Sequence, residues 1–333
     1  MTVTSQPTIA RRPFLQALGL GLAVSATPAL AQTSGPVRRL GLLGGATAGG
    51  YARYLEAMRA GLQEHGLIEG QNLVIEYRWA EEKLDRLPAL AAELVRLKVE
   101  LIITQGTPAA FAAKKATQTI PIVMAIVGSP VETGVVASYG RPGINITGSS
   151  FFMDQVNAKR VELLKALNPQ LARLGLLFND RNPVMHTVRA AVEERARALK
   201  VELTTLTVHS MDELSAALGG SSKPGEALVV PDDGLFIANA RLVAAVAGKA
   251  RLPAIGFREV CESGALLAYG ADLAHIWRES AALVDKVLHG AKAADIPIQQ
   301  ASRFELIVNL HAAKALGVTV PQSFLSRADV VLE

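Results

Sequence analysis

Three short stretches place a small polar residue directly before a proline: Thr107-Pro108 in "TQGTPAA", Ser129-Pro130 in "VGSPVE" and Asn182-Pro183 in "NDRNPVM". Thr, Ser and Asn are good helix N-caps, and proline suits the first helical position. A helix start with free N–H groups holds an anion such as a carboxylate. One such cap alone serves only its own helix. Two in succession, each beside a glycine (Gly106 and Gly128), suggest a binding edge that a ligand approaches closely. The first-half candidates are therefore Gly45, Gln105, Gly106, Thr107, Gly128, Ser129 and Ser149. In the second half Asn179, Asp232 and Arg258 stand at strand ends. Asp232 suits an ammonium or hydroxyl group, and Arg258 suits a carboxylate held in a bidentate pair. Phe151, Phe236 and Phe257 could cover an apolar ligand face. The competing reading makes the acids solvated turn residues and the phenylalanines ordinary core.

Other chemistries lack their residues. The glycine cluster "GGATAGG" (44–50) has neither the Lys-Ser/Thr of a phosphate loop nor the G-x-G-x-x-G of a dinucleotide site. The six histidines show no metal-ligand spacing, and no G-x-S-x-G nucleophile elbow occurs. Cys261, the only cysteine, excludes an internal disulfide. No catalytic residue, metal or cofactor is expected. The formal net charge is +4 without a dense Lys/Arg run, which gives no footprint for nucleic acid.

The elements that must position these residues alternate along the chain. "RRLGLLGG" (38–45), "NLVIEYRW" (72–79), "VELIIT" (99–104) and "IPIVMAIV" (120–127) read as strands separated by segments of helical periodicity. This β-α-β-α order predicts a parallel sheet covered by helices on both faces. The rhythm breaks at "GRPGINITG" (140–148), then restarts with helix 155–167 and strands "ARLGLLFN" (172–179), "VELTTLTV" (201–208), "EALVVP" (226–231) and "LPAIGF" (252–257). A last segment holds strand "ALLAYG" (265–270), helix 272–289 and the strand-like "RFELIVNL" (303–310). The fold class is α/β, with two Rossmann-like lobes of parallel sheet joined by hinge crossovers. The expected division is 37–148 plus about 271–300 for lobe 1, and 149–270 plus about 301–333 for lobe 2. In open parallel sheets a ligand sits beyond the C-terminal strand ends, where the candidates cluster.

The stretch "ARRPFLQALGLGLAVSATPALAQ" (10–32) reads as an address. Its apolar run is marginal in length for a membrane span and is broken by Pro28. A charged pair, an apolar run and the A-x-A site of Ala29 and Ala31 follow the order of a secretory signal, which expects residues 1–31 to be removed. An uncleaved anchor or a buried helix is the alternative. Arg11 and Arg12 in "RRPFLQ" resemble the bacterial twin-arginine pattern, with an ordinary Sec signal as the competing route. Either route uses export machinery and puts the mature chain in the periplasm.

From about residue 37 onward the chain resembles the bacterial ABC-transporter substrate-binding proteins that include the tryptophan-binding type. The segments carrying the resemblance are "GLQEHGLIEGQNLVIEYRWAEEKLDRLPALAAELV", "TQGTPAA", "IPIVMAIVGSPVETGVVASYGRPGINITG", "KRVELLKALNP" and "FELIVNLHAAKALGVTVP". The resemblance implies a type I periplasmic binding protein. Its two lobes would close about a hinge over one small solute and present it, as a monomer, to an ABC permease in the inner membrane. In amino-acid-binding relatives the loop matching "VGSPVE" commonly has Asp where Ser129 stands, and the loop matching "GFREV" is acidic where Phe257-Arg258 stands. Within a solute class of carboxylates or amino-acid-like molecules, these departures favour a small organic carboxylate, aromatic ones included, with Arg258 and the Thr107 helix start as anion partners. An exported ligand sensor and an exported enzyme on the same scaffold are the alternatives.

Overall fold

Continuous apolar runs make strands only where both faces of a sheet are covered, and that condition organises this protein. A computed structural model describes residues 1–2, 37–218 and 225–333; the signal-like stretch with Arg11, Arg12, Ala29 and Ala31 lies outside the described residues. The unit from Pro36 to Glu333 carries the fold. Its strands are β1 (Arg38–Gly44), β2 (Leu73–Trp79), β3 (Leu101–Gln105), β4 (Ile122–Val127), β5 (Ile146–Ser150), β6 (Arg173–Phe178), β7 (Glu202–Thr207), β8 (Glu226–Val229), β9 (Ala254–Gly256), β10 (Leu267–Ala271), β11 (Gln299–Gln300), β12 (Phe304–Asn309) and β13 (Val330–Leu332). Its helices are α1 (Ala52–Glu64), α2 (Leu87–Arg96), α3 (Gly106–Ala116), α4 (Met153–Leu167), α5 (Val184–Ala198), α6 (Met211–Ala217), α7 (Gly234–Ala238), α8 (Ala240–Lys249), α9 (Arg258–Glu262), α10 (Leu273–Leu288), α11 (Leu310–Leu316) and α12 (Gln322–Leu325).

Two sheets result. The first has the order β11-β5-β4-β3-β1-β2 and is parallel throughout. The second has the order β13-β12-β10-β9-β8-β6-β7. Both show the doubly wound α/β pattern, with β3 and β4 buried along their whole length. The second sheet contains one antiparallel pair, β10 with β12. Its cause is topological. β10 runs to the end of its sheet that faces the first lobe and leaves there, and β12 enters at that same end after residues 301–303, so the two must run in opposite directions.

The chain passes between the sheets three times: between β5 and α4, between β10 and α10, and between β11 and β12. α10 returns to the first lobe, where it packs on α1 and against β4 and β5; α4 lies on the second, against α5, β8, β9 and β10. At the first passage Phe152 adopts a left-handed backbone (φ 46°), strained for a residue with a side chain.

Asn182-Pro183 leads directly into α5, with Asn182 Oδ1 accepting from the Val184 amide at 3.4 Å, but the other two expected caps differ from what forms. α3 begins at Gly106 rather than after Thr107, and Gly106 takes a left-handed φ of 79° that glycine permits. No helix follows Ser129-Pro130. Ser129 itself is left-handed (φ 41°), and the Gly/Pro-rich chain runs through turns to β5. Its hydroxyl donates to Asp154 Oδ1 on α4 at 2.8 Å, tying the two lobes at the crossover instead of capping a helix.

Candidate functional site

The C-terminal ends of β1, β3 and β4 face the ends of β6 and β8 across a cleft, and two adjoining compartments fill it. The outer one is open to solvent and mixed in character, with Gly45, Ala46, Glu82, Gln105, Gly106, Asn179, Arg181, Asn182, His209 and Asp233 on its walls beside Leu84, Pro108 and Leu235. The inner one is a narrow space and the more apolar of the two, with Tyr51, Ile126, Phe151, Met153, Val184, Ile237, Leu273 and Trp277 joined by Thr107, Gly128 and Asp232. Gln105, Gly106, Asn182 and Gly234 line both and form the neck.

Gln105 organises the first-lobe side. Its Oε1 accepts from the Gly45 and Ala46 amides at 3.0 and 3.4 Å, and its Nε2 donates to the Tyr51 hydroxyl at 3.0 Å. The side chain thus locks the turn after β1 and fixes Tyr51 at once. Beside it, α3 opens with Gly106 and Thr107; the first amides of a helix have no partners within it and carry the positive end of the dipole. Thr107 Oγ1 donates to the Gly128 carbonyl at 3.4 Å, joining the ends of β3 and β4.

Two consecutive acids project from the end of β8, and their surroundings differ. Asp232 is matched by Arg160 of α4, which is wholly buried: Nη2 donates to Oδ1 at 3.1 Å and Nη1 lies 2.7 Å from Oδ2. Arg160 also donates to the Tyr269 and Val230 carbonyls and to Asn157 Oδ1. Asp233 has only neutral partners in the described contacts: Asn179 Nδ2 at 3.1 Å, Asn182 Nδ2 at 2.7 Å and the Leu235 amide at 2.9 Å. Burial raises its pKa, and these three donors offset the rise only in part. Tyr51 is likewise pushed well above the ordinary phenol value by burial, then by Asp233.

The structure brings Gly45, Gln105, Gly106, Thr107, Gly128, Phe151, Asn179 and Asp232 to the cleft walls. It leaves the other expected residues outside both compartments. Ser129 is engaged with Asp154, Ser149 is buried within β5, and Phe236 and Phe257 are buried in the core. Arg258 is committed to Glu262 at 3.1 Å and to Glu305 of β12. It lines neither compartment, so the carboxylate role expected of it has no geometric basis. Tyr51, Trp277 and Asp233 line the cleft without being among the expected ligand-binding residues, and so does Asn182, expected only as a helix cap. Asn182 and Asp233 stand at strand ends and were open to the rule that selected Asn179 and Asp232. Trp277 was not, because nothing in the spacing of α10 separates a cleft-facing tryptophan from a core one.

Two α/β lobes, three crossovers and a cleft between strand ends define the type I periplasmic binding protein fold. Residues 50–332 match the model of the family described as ABC transporter substrate binding protein, and the chain belongs to that family. It is 30% identical over 258 residues to the tyrosine-binding protein of Clostridioides difficile, covering 77% of this chain and 74% of that one. Among solved structures, a conserved domain protein from Vibrio cholerae superposes with a TM-score of 0.83 at 24% identity over 89% of this chain and 99% of its own. The ABC domain from Streptococcus pneumonia in complex with L-Trp superposes with a TM-score of 0.79 at 24% identity, covering 88% of this chain and all of that one.

Proposed function

We propose that this chain is the exported solute-binding component of an ABC importer, and that its solute is an amino acid with an aromatic side chain. On this reading residues 1–31 are a signal peptide removed after Ala31, and the loaded, closed form docks on a membrane permease. The carrying observation is Asp233, a buried carboxylate on the cleft wall that has no ion-pair partner among the described residues, beside the positive start of α3. A buried acid of this kind calls for a cation, and a solute ammonium supplies one. The solute carboxylate then meets the Gly106 and Thr107 amides at the α3 start, and its ring enters the inner compartment between Tyr51, Phe151 and Trp277. The tyrosine-binding relative and the tryptophan-bound neighbour support this class of solute.

The test is titration calorimetry of the mature chain with L-tyrosine, L-phenylalanine and L-tryptophan against the matching acids that lack the amino group. The amino acids bind tighter, and Asp233→Asn removes that preference; deamino acids that bind as tightly as the amino acids would overturn the reading. The pH dependence has a fixed sign. The ammonium pairs with ionised Asp233, whose pKa is raised, so affinity falls as pH drops through that raised value and recovers above it.

A further inference from the structure

The inner compartment contains a polar demand that the protein leaves unmet. Trp277 is 0% exposed, its ring stands in the compartment wall with Leu273 of the same helix, and its Nε1–H has no hydrogen-bond partner. Buried indole N–H groups ordinarily have an acceptor. The aromatic rings around Trp277 do not supply one: Tyr51 and Tyr54 lie with ring centroids 6.0 and 6.2 Å away. A second donor, Tyr51, lines the same compartment. The Tyr51 oxygen accepts from Gln105 Nε2, which leaves the hydroxyl proton to be donated. The acid of this compartment, Asp232, is held by Arg160.

We infer that Trp277 is a specificity-determining residue that selects a solute carrying an oxygen acceptor at the buried end of its ring. Its Nε1–H donates to that oxygen, and the Tyr51 hydroxyl is a second donor in the same compartment. A phenol-bearing solute satisfies this wall; one ending in a bare ring leaves the indole N–H unpaired. The inference rests on the aromatic-solute reading above and sharpens it.

The experiment compares solute pairs that differ by one oxygen: L-tyrosine with L-phenylalanine, and 4-hydroxyphenylacetate with phenylacetate. Calorimetry is run on the mature chain and on Trp277→Phe. The oxygen-bearing member of a pair is expected to bind on the order of tenfold to a hundredfold tighter, with the gap closing in the variant. A second readout works without any variant at position 277. The chain has two tryptophans, so ¹⁵N spectra show two indole signals, and Trp79→Phe assigns them. The Trp277 Nε1–H signal moves downfield with the oxygen-bearing solute and not with its partner. Equal affinities within each pair, or a gap that persists while the indole signal stays still, overturn the inference and leave the amino-acid reading standing. Discrimination confined to the acetate pair, with the indole shift, sustains the inference and overturns the amino-acid reading. Failure of all four solutes to bind overturns the inference, and failure of L-tryptophan as well overturns both.

Discussion

At the scale of single residues, Arg160 and Asp232 show why partner identity decides a role. Both side chains are essentially inaccessible, at 0% and 1% exposure. Removing one member of such a pair leaves an uncompensated buried charge, so Arg160→Met should cost about 3–5 kcal/mol. Adding Asp232→Leu should recover part of that loss, because two apolar residues no longer strand a charge. Chemical denaturation of the two singles and the double measures the coupling; additive effects would remove Asp232 from Arg160's charge of duties and free it for a solute cation. Asp232 was legible as a cleft acid because it follows an apolar strand. Its commitment was not, since Arg160 lies 72 residues earlier on a helix whose sequence reads as ordinary amphipathic surface. The same distance hid the engagement of Arg258 with Glu305, 47 residues on. Long-range pairing leaves no local spacing to read, and for that reason the sign of charge at strand ends was visible while its availability was not.

At the scale of elements, strands were the most legible parts. "VELIIT" gave β3 and "NLVIEYRW" gave β2, because burial on two faces and burial on one leave different apolar patterns. The proline signature was less faithful. It marks a turn as readily as a helix, and after Ser129 the turn prevails. The glycine run after β1 has a role that its sequence alone did not reveal. A Cβ on Gly50 would lie 2.5 Å from the Ala238 Cβ and 2.6 Å from its Cα, on the opposite lobe. Gly50→Ala should therefore obstruct the approach of α7 to the segment preceding α1 without touching either lobe's core. Solute affinity should fall by about tenfold or more, as expected when the binding-competent state is depopulated, while thermal stability without solute stays near that of the parent. A variant that binds normally would show that the two segments need not meet for binding.

At the scale of the whole molecule, polar links away from the crossovers, exposed or part-buried, join the two lobes among the described residues. Arg53 of α1 reaches Glu262 at 3.1 Å and Glu259 at 3.5 Å on α9, and Asn239 Nδ2 donates to Glu82 Oε1 at 2.7 Å. Each joins one lobe to the other, so parting the lobes there would break it. The Arg53 side chain is 47% exposed and Glu262 37%, which puts their pair among those worth roughly 0.2–1 kcal/mol and open to screening. On the proposed role such weak links would bias the closed state without trapping it, with solute contacts to both lobes supplying the remainder. Two consequences can be measured together. Arg53→Ala should weaken solute binding by no more than about fivefold at low ionic strength, and the difference from the parent should vanish as salt rises. Small-angle scattering should show the variant more open without solute and equally compact when saturated. A loss of affinity that is indifferent to salt would assign Arg53 a packing role and leave closure to the solute and the apolar contacts around Gly50.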